Sequence, residues 1–185
     1  MTPNDDLYET LYRNFRWHVP PVLNIGELCC SRWARQAPER IAILYEHEDG
    51  RRDQLTYGAL QARANRLSHV LERLGVGAGD RVAVVMPQRF ETAIAHIAIY
   101  QLGAVAMPLS MLFGPDALEY RLQDSEARVA IVDESAVDNL LAARAACPAL
   151  QHVIAVGAAA GRGDVDWDAA LARETSVYVV RATKA

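Results

Sequence analysis

Few side chains in this sequence have a type and spacing that point to catalysis. Although the chain has 19 lysine and arginine residues, Lys184, next to the last residue, is the single lysine. A mechanism that needs a lysine inside the fold is therefore nearly excluded. The five histidines are scattered and no His-Glu-x-x-His motif occurs, so the spacing predicts no metal site. No catalytic triad or carboxylate dyad is apparent, and we assign no catalytic residue.

The cysteines predict structural thiols rather than a disulfide framework. Cys29 and Cys30 are neighbours, a spacing at which pairing is rare, and Cys147 stands far from both. No Cys-x-x-Cys pair is present, so we expect reduced thiols in a cytoplasmic protein; a reactive thiol is the alternative. The polar, acidic start of the chain, residues 1–7, does not resemble a signal peptide.

Two glycine-rich segments are candidates for phosphate binding. A dinucleotide-binding loop follows a strand and opens a helix, so that backbone amides and the helix dipole meet the phosphate. Gly75–Gly79 has the reverse order, between a predicted helix and a predicted strand, which indicates a helix-ending turn. Gly157–Gly163 follows a predicted strand, but it lacks the Gly-x-Gly-x-x-Gly and P-loop patterns and precedes Asp164 and Asp166. We therefore predict a mobile surface loop there.

Three further features have a functional and a purely structural interpretation. Residues 133–135 (Asp-Glu-Ser) end a predicted strand, where an acid could hold a ribose hydroxyl. Alternatively, Ser135 caps the next helix, with Asp138 three residues on. Pro108–Gly114 is unusually apolar for a loop, so it is either covered by protein or lines an apolar pocket. His96 lies on an apolar predicted helix and is interpreted as a core residue rather than a ligand.

The composition indicates one globular domain. A chain of 185 residues is long enough to bury a core without disulfides or metal. Its hydrophobic fraction of 51% and charged fraction of 23% exclude a mostly disordered chain. The net charge of −4 attracts neither nucleic acid nor anionic membranes. The longest apolar stretch, residues 92–113, is broken by polar residues, glycine and proline, so no membrane span is predicted.

Residues 1–40 are predicted to form a helical lead-in. Two helices make up this segment, over residues 5–17 and from Asn24 to about Gln36. We expect Asn24 to cap the second helix, with the side chain of Glu27 reaching back to it in a capping box.

Residues 41–156 show the alternation of strands and helices that is typical of a parallel α/β sheet. A hairpin and a long amphipathic helix come first, and four apolar strands then alternate with three helices. The predicted strands are residues 41–46 and 53–57 in the hairpin and residues 81–86, 105–107, 128–132 and 152–156 in the sheet. Residues 157–185 are predicted as a loop, a short helix anchored by Trp167, and an atypical tail with one more strand at Val177–Val180.

Several segments between residues 7 and 156 are similar to one known family. They are Leu55–Leu60, Gly79–Val84, Tyr100–Ser110 and Leu112–Leu122, together with the lead-in Tyr12–Trp17. In these segments the sequence resembles the N-terminal part of an AMP-dependent, adenylate-forming acyl-CoA synthetase. The closest similarity is to the medium-chain acid–CoA ligase type.

The resemblance implies a fold, an activity and a channel. The fold is an α/β parallel sheet layered with helices plus a small β-hairpin, an incomplete N-terminal subdomain of the synthetase. A complete member uses ATP, Mg and CoA to join a carboxylic acid to AMP and then to CoA, in fatty acid metabolism. The resemblance also implies that the loop after the second core motif lines the acyl/CoA channel, through Ser110, Leu112, Phe113 and Gly114.

The resemblance covers only about the first third of such a ligase and stops before the ATP phosphate loop. We therefore expect a truncated fragment that has no catalytic residue, holds no cofactor and is inactive as this chain alone. The alternative is a non-catalytic module that docks on or complements a ligase partner. We expect self-association or docking through an exposed sheet edge, and no nucleic acid partner.

Overall fold

A parallel sheet and a separate hairpin organise the chain. The structure, a computed structural model, describes residues 7–47 and 49–184. Its strands are β1 (Ile41–Glu46), β2 (Arg52–Thr56), β3 (Arg81–Val85), β4 (Val105–Pro108), β5 (Val129–Val132), β6 (His152–Ala155) and β7 (Val165–Asp166). Its helices are α1 (Leu7–Asn14), α2 (Arg32–Gln36), α3 (Tyr57–Arg73), α4 (Phe90–Gln101), α5 (Pro115–Ser125), α6 (Val137–Arg144) and α7 (Trp167–Leu171). Strands β1 and β2 pair antiparallel, and the others form a parallel sheet in the order β4-β3-β5-β6-β7.

Side chains alternate between the two faces of the parallel sheet, as the pleat of a strand requires. In β3, Val82 and Val84 pack in a core with residues of α3 and α4. Ala83 and Val85 pack on the opposite face with residues of α5 and α6. Because helices cover both faces, the strands are continuous apolar runs, and the predicted layered parallel sheet is confirmed. None of the described helices is long and apolar enough to cross a bilayer.

Local signals set the ends of the long helix α3. The backbone N–H of Ala59 donates to the side-chain oxygen of Thr56 at 3.3 Å, so Thr56 is the N-cap. Gly75 follows the helix with a φ of +81°, a left-handed conformation that glycine adopts without strain. The predicted helix end at Gly75 is therefore confirmed.

The lead-in begins its second helical segment at the predicted cap. Asn24 Oδ1 accepts a hydrogen bond from the backbone N–H of Glu27 at 3.2 Å. A π-helical turn, Glu27–Ser31, follows and continues into α2. The predicted capping box is half wrong, because the Glu27 carboxylate pairs with Arg35 instead of reaching back to Asn24. A charged guanidinium is a stronger donor than a neutral backbone amide, so it wins this competition.

The end of the described chain differs from the predicted strand. Val177–Val180 carries no strand, and the fifth strand of the sheet is instead Val165–Asp166, which pairs with β6. The strand prediction is wrong, because the carbonyls of Ser176 and Val177 accept hydrogen bonds from Asn65 and His69 of α3 and not from a neighbouring strand. The short helix anchored by Trp167 is confirmed, since this side chain is buried at the start of α7. The division of the chain at residues 40 and 156 stays a prediction.

Side chains, rather than a sheet, hold the C-terminal segment in place. The Asn65 amide donates to the carbonyl of Ser176 at 2.7 Å. The Asn24 amide donates to the carbonyl of Arg181 at 3.0 Å and to that of Tyr100, at the end of α4, at 2.8 Å. The lead-in, α4 and the C-terminal segment therefore meet at one buried side chain.

Candidate functional site

The carboxyl ends of β3 and β4 open into a cleft of about 580 Å³. Open α/β sheets place ligands at this end of their strands. The polar side chains in the lining are Gln88, Thr92, His96 and Ser110, and the apolar lining residues are Val84, Met86, Pro87, Ala93, Pro108, Leu109 and Met111. The fold forms this cleft from the exit of β3, one face of α4 and the loop after β4. Seven of the lining residues are apolar, and four are polar and could orient a bound small molecule.

His96 lies at the polar side of this cleft, although its apolar helix had indicated a core residue. Its Nδ1 is 2.8 Å from the carbonyl oxygen of Thr92, one helical turn earlier. The Thr92 hydroxyl in turn donates to the carbonyl of Pro87 at 2.6 Å. The imidazole ring packs edge-on against Tyr100, with the ring centroids 5.9 Å apart. These contacts fix the ring at the cleft, so the interpretation of His96 as a core residue is wrong.

The residues of the loop after β4 have different surroundings, and only some of them line the cleft. Ser110 lines the cleft, and its hydroxyl accepts a hydrogen bond from the backbone N–H of Leu112 at 3.2 Å. Leu112 is 84% exposed. The guanidinium of Arg121 lies over the ring of Phe113, 4.2 Å from the ring centroid. Phe113 also packs against the core on the face of the sheet that α5 and α6 cover. Gly114 is the residue before α5. Of the four predicted channel residues, only Ser110 lines this cleft, and the channel role of all four stays a prediction.

A buried carboxylate follows β5, but it does not support the predicted cap. Asp133 is 1% exposed and lies 3.1 Å from the guanidinium of Arg89. The Ser135 hydroxyl and backbone N–H both donate to this carboxylate, and Ala136 is the residue that precedes α6. The capping role of Ser135 is therefore wrong, because the buried acid already uses its hydroxyl. Asp138 pairs instead with Arg162, which lies between β6 and β7.

Arg89 compensates the charge of that buried acid. Its guanidinium also contacts Glu91 at 2.7 Å and Glu134 at 3.7 Å. Burial lowers the pKa of Arg89, but hydrogen bonds to Glu91 and Asp133 outweigh it, so the pKa lies above its usual range. With its charge committed to three carboxylates, Arg89 is a structural residue rather than an anion site.

The glycine segment after α3 uses its amides within the fold. The backbone N–H of Gly77 donates to the Asp80 carboxylate at 2.7 Å, and that of Gly79 donates to the carbonyl of Gly103 at 3.0 Å. These donors are therefore not directed at a ligand, and the predicted helix-ending turn is confirmed. The later segment, Gly157–Gly163, contains a short 3₁₀ turn at Gly157–Ala159, and its mobility stays a prediction.

The cysteines are free thiols, as the sequence predicted. Cys30 and Cys147 are buried, whereas Cys29 is exposed. Burial, together with the neighbouring Cys29, raises the pKa of the Cys30 thiol to about 12. A thiol with so high a pKa is a poor nucleophile at neutral pH. The part of the chain that the structure describes contains no group of three or more His, Cys, Asp or Glu that could hold a metal ion.

The sheet, the hairpin and the cleft recur in a known family. A family model described as "AMP-binding enzyme" matches residues 30–182, which include every strand of the sheet and the whole cleft. The chain belongs to the AMP-binding enzyme family. The resemblance found in the sequence is therefore confirmed at the level of the family.

Two curated relatives of this AMP-binding chain are acetyl-coenzyme A synthetases. That of Nostoc linckia is 33% identical over 151 residues, which cover 76% of this chain and 45% of the relative. Acetyl-coenzyme A synthetase 2 of Pseudomonas putida is 33% identical over 162 residues, which cover 82% of this chain and 25% of the relative. The chain thus spans less than half the length of these relatives.

Two solved structures share the fold. An acyl-CoA synthetase of Brucella canis superposes with a TM-score of 0.83 at 24% identity, over 96% of this chain and 34% of that one. The anthranilate CoA ligase AuaEII, in complex with anthranoyl-AMP, gives a TM-score of 0.78 at 23% identity, over 90% of this chain and 31% of that one. At these identities the similarity shows the fold alone, and it confirms the predicted subdomain.

Sequence reasoning gave one wall of the cleft of the AMP-binding chain, as the pocket alternative for Pro108–Gly114, but missed the wall that α4 forms. Met86 and Met111 face one space with His96, yet they come from three separate elements. One signal was present in the sequence: Thr92 and His96 are four residues apart, which places them on one face of the helix that follows β3. Only the fold shows that the loop after β4 lies opposite that face.

Proposed function

We propose that this AMP-binding chain is part of an acid–CoA ligase, which joins a carboxylic acid to the AMP part of ATP with release of pyrophosphate and then transfers the acyl group to CoA with release of AMP. The observation that carries the proposal is the match over residues 30–182, supported by acetyl-coenzyme A synthetases at 33% identity. The similarity of Leu112–Leu122 to the medium-chain type extends the proposal to acids longer than acetate. Free thiols agree with a cytoplasmic setting, which belongs to the same proposal.

The contribution of this chain to the ligase is one wall of the acyl/CoA channel. The position of Ser110 in the lining of the cleft after β4 supports this role. Leu112, Phe113 and Gly114 continue the same loop and complete the wall where the rest of a ligase covers it. The exposure of the Leu112 side chain supports this arrangement, because an exposed leucine gains stability from such a cover.

ATP, Mg and CoA are the proposed ligands of the complete ligase, but the described residues do not fit the ATP–Mg part. They include no cluster that could hold a metal ion. The cleft has no lysine or arginine in its lining to stabilise a transferring phosphate. We therefore assign this chain no chemical step on ATP and propose that it is inactive alone.

ATP–pyrophosphate exchange tests the proposed inactivity. The purified chain is assayed with acetate, hexanoate and octanoate, beside full-length acetyl-coenzyme A synthetase 2 of Pseudomonas putida with acetate. We expect exchange from the full-length enzyme and none above a heat-denatured blank from this chain. Exchange by the chain with any of the acids refutes the inactivity.

A second candidate function is a non-catalytic module that docks on or complements a ligase. Apolar side chains exposed on two segments favour it, because large exposed apolar groups mark interaction surfaces. Trp17 in the lead-in is 83% exposed, and Val179 in the C-terminal segment is 85% exposed. Strand β4 also forms an edge of the described sheet, which offers a second place for docking or self-association.

Complementation tests the docking module. This chain is mixed with the part of the Pseudomonas putida synthetase that lies beyond its matched region, and the mixture is analysed by gel filtration and ATP–pyrophosphate exchange. Co-elution with restored exchange supports both the ligase proposal and the docking module. Co-elution without exchange supports docking alone, and separate elution refutes it.

A further inference from the structure

The hydrogen bonding of His96 fixes which of its ring nitrogens is available to a ligand. Nδ1 lies 2.8 Å from the carbonyl oxygen of Thr92. A carbonyl oxygen only accepts hydrogen bonds, so Nδ1 carries the proton. In the neutral ring, Nε2 is then an acceptor, and no described residue donates to it. His96 Nε2 is therefore an acceptor in the lining of the cleft that no described residue uses, beside the amide of Gln88 and the hydroxyl of Ser110.

No charged side chain in the lining of the cleft competes with His96 for a ligand. The Thr92 hydroxyl donates to the carbonyl of Pro87. The rings of Tyr100 and His96 meet in a T-shaped contact. No other residue in the lining of the cleft is ionisable. Arg89 and Glu91, at the start of α4, pair with each other at 2.7 Å and line a different cleft.

We propose that the cleft recognises an apolar chain that carries a hydroxyl or N–H group, whose hydrogen bond His96 Nε2 accepts. The apolar part packs against Met86 and Met111, flexible thioether side chains that adapt to irregular shapes. The assignment of the cleft to the acyl/CoA channel rests on the proposed function. The inference deepens that function, because it selects an acyl chain with a hydrogen-bond donor over a plain hydrocarbon chain.

The selectivity follows from the cost of an unpaired acceptor. A plain hydrocarbon chain excludes water from Nε2 without replacing its hydrogen bond, whereas a hydroxyl replaces it. One net hydrogen bond corresponds to about a fivefold difference in Kd. The volume of about 580 Å³ lies within the range of small-molecule sites, so a chain of a few carbons fits.

Two isomeric probes isolate this hydrogen bond. 1-Pentanol and butyl methyl ether have the same atoms, but only the alcohol has a donor. Each is titrated into the chain while the histidine ring Cε1–H signals are followed by NMR, with exposed His18 as the internal control. At pH 8 we expect the alcohol to bind about fivefold more tightly than the ether and to shift the His96 signal but not that of His18.

Variants separate recognition from simple burial. His96→Phe keeps an aromatic ring beside Tyr100 and should abolish the difference between the probes, whereas His18→Phe should leave it unchanged. His96→Gln retains a side-chain acceptor and keeps part of the preference, so the inference stays testable even if the phenylalanine variant does not fold. Equal Kd values at pH 8, or an unmoved His96 signal, overturn the inference.

A third probe identifies the competing chemistry. Binding of pentanoate that is tighter than that of 1-pentanol at pH 8 would assign the cleft to carboxylates and overturn the inference. None of these measurements uses ATP. Their failure therefore leaves the proposed ligase role standing, and a failure of complementation leaves the binding result standing.

Discussion

Replacing Asn24 with alanine removes three hydrogen bonds at the point where the lead-in, α4 and the C-terminal segment meet. Its Oδ1 caps the second helical segment, and its amide donates to the carbonyls of Tyr100 and Arg181 at 2.8 and 3.0 Å. Loss of the cap costs about 1 kcal/mol. Each of the two lost hydrogen bonds to a carbonyl adds roughly 0.5–1 kcal/mol. We expect Asn24→Ala to lower the free energy of unfolding by about 2–3 kcal/mol in total.

Urea unfolding monitored by tryptophan fluorescence measures this loss of stability. The Asn24→Asp variant separates the contribution of the helix cap from that of the two amide hydrogen bonds. Aspartate is as good a cap as asparagine, but it has no N–H to donate and directs a carboxylate at two carbonyls. The Asp variant should therefore be at least as destabilised as the Ala variant. Asn139→Ala is the matched control, because Asn139 donates one hydrogen bond, to Phe113, and its loss should cost only about 1 kcal/mol. A loss below about 1 kcal/mol for Asn24→Ala, or wild-type stability for Asn24→Asp, would refute the reasoning.

Three further predictions concern the core, the thiols and one tyrosine. Leu67→Ala, in the fully buried face of α3, should cost about 2–5 kcal/mol, whereas Leu112→Ala should stay within about 0.5 kcal/mol; the reverse order in urea unfolding contradicts this. Iodoacetamide at pH 8 should alkylate Cys29 in the native protein and Cys30 only after unfolding, because burial raises the pKa of Cys30 to about 12; mass spectrometry that finds both labelled equally contradicts it. Burial and Glu72 raise the pKa of Tyr178 to about 12, so its contribution to stability is fully present below pH 10 and is lost as pH rises toward 12. Tyr178→Phe should flatten the dependence of stability on pH in that window, and an unchanged slope contradicts the prediction.

The layered sheet could be predicted from the sequence because its signals are local. Residues 129–132 are buried on both faces, so they form the continuous apolar run that is typical of a central parallel strand. The wrong strand at Val177–Val180 shows the limit of such signals. Its valines favour a strand, but Asn65 and His69 of α3 bind the carbonyls of this segment in place of a neighbouring strand.

The predicted caps at Ser135 and Glu27 were wrong because another residue binds the same side chain. The pattern at Ser135 is that of a helix cap, yet the buried Asp133 two residues earlier binds the same hydroxyl. Glu27 likewise meets the pattern of a capping box, and Arg35 offers a better partner. The cleft at His96 could not be predicted, because its walls come from segments that only the fold brings together. Spacing within one element predicts which side chains share a face, but not what lies opposite that face.

The position of Asn24 has a consequence for the order of synthesis. Its side chain binds the carbonyl of Arg181, 157 residues further along the chain. On the ribosome, the lead-in is therefore made first but completes its contacts only after the C-terminal segment has emerged. Contacts between such distant residues must first close a long loop, which slows their formation. Until then the sheet can form from contacts between residues that are closer along the chain. The exposed aromatic side chains of the lead-in stay accessible to other proteins during that time.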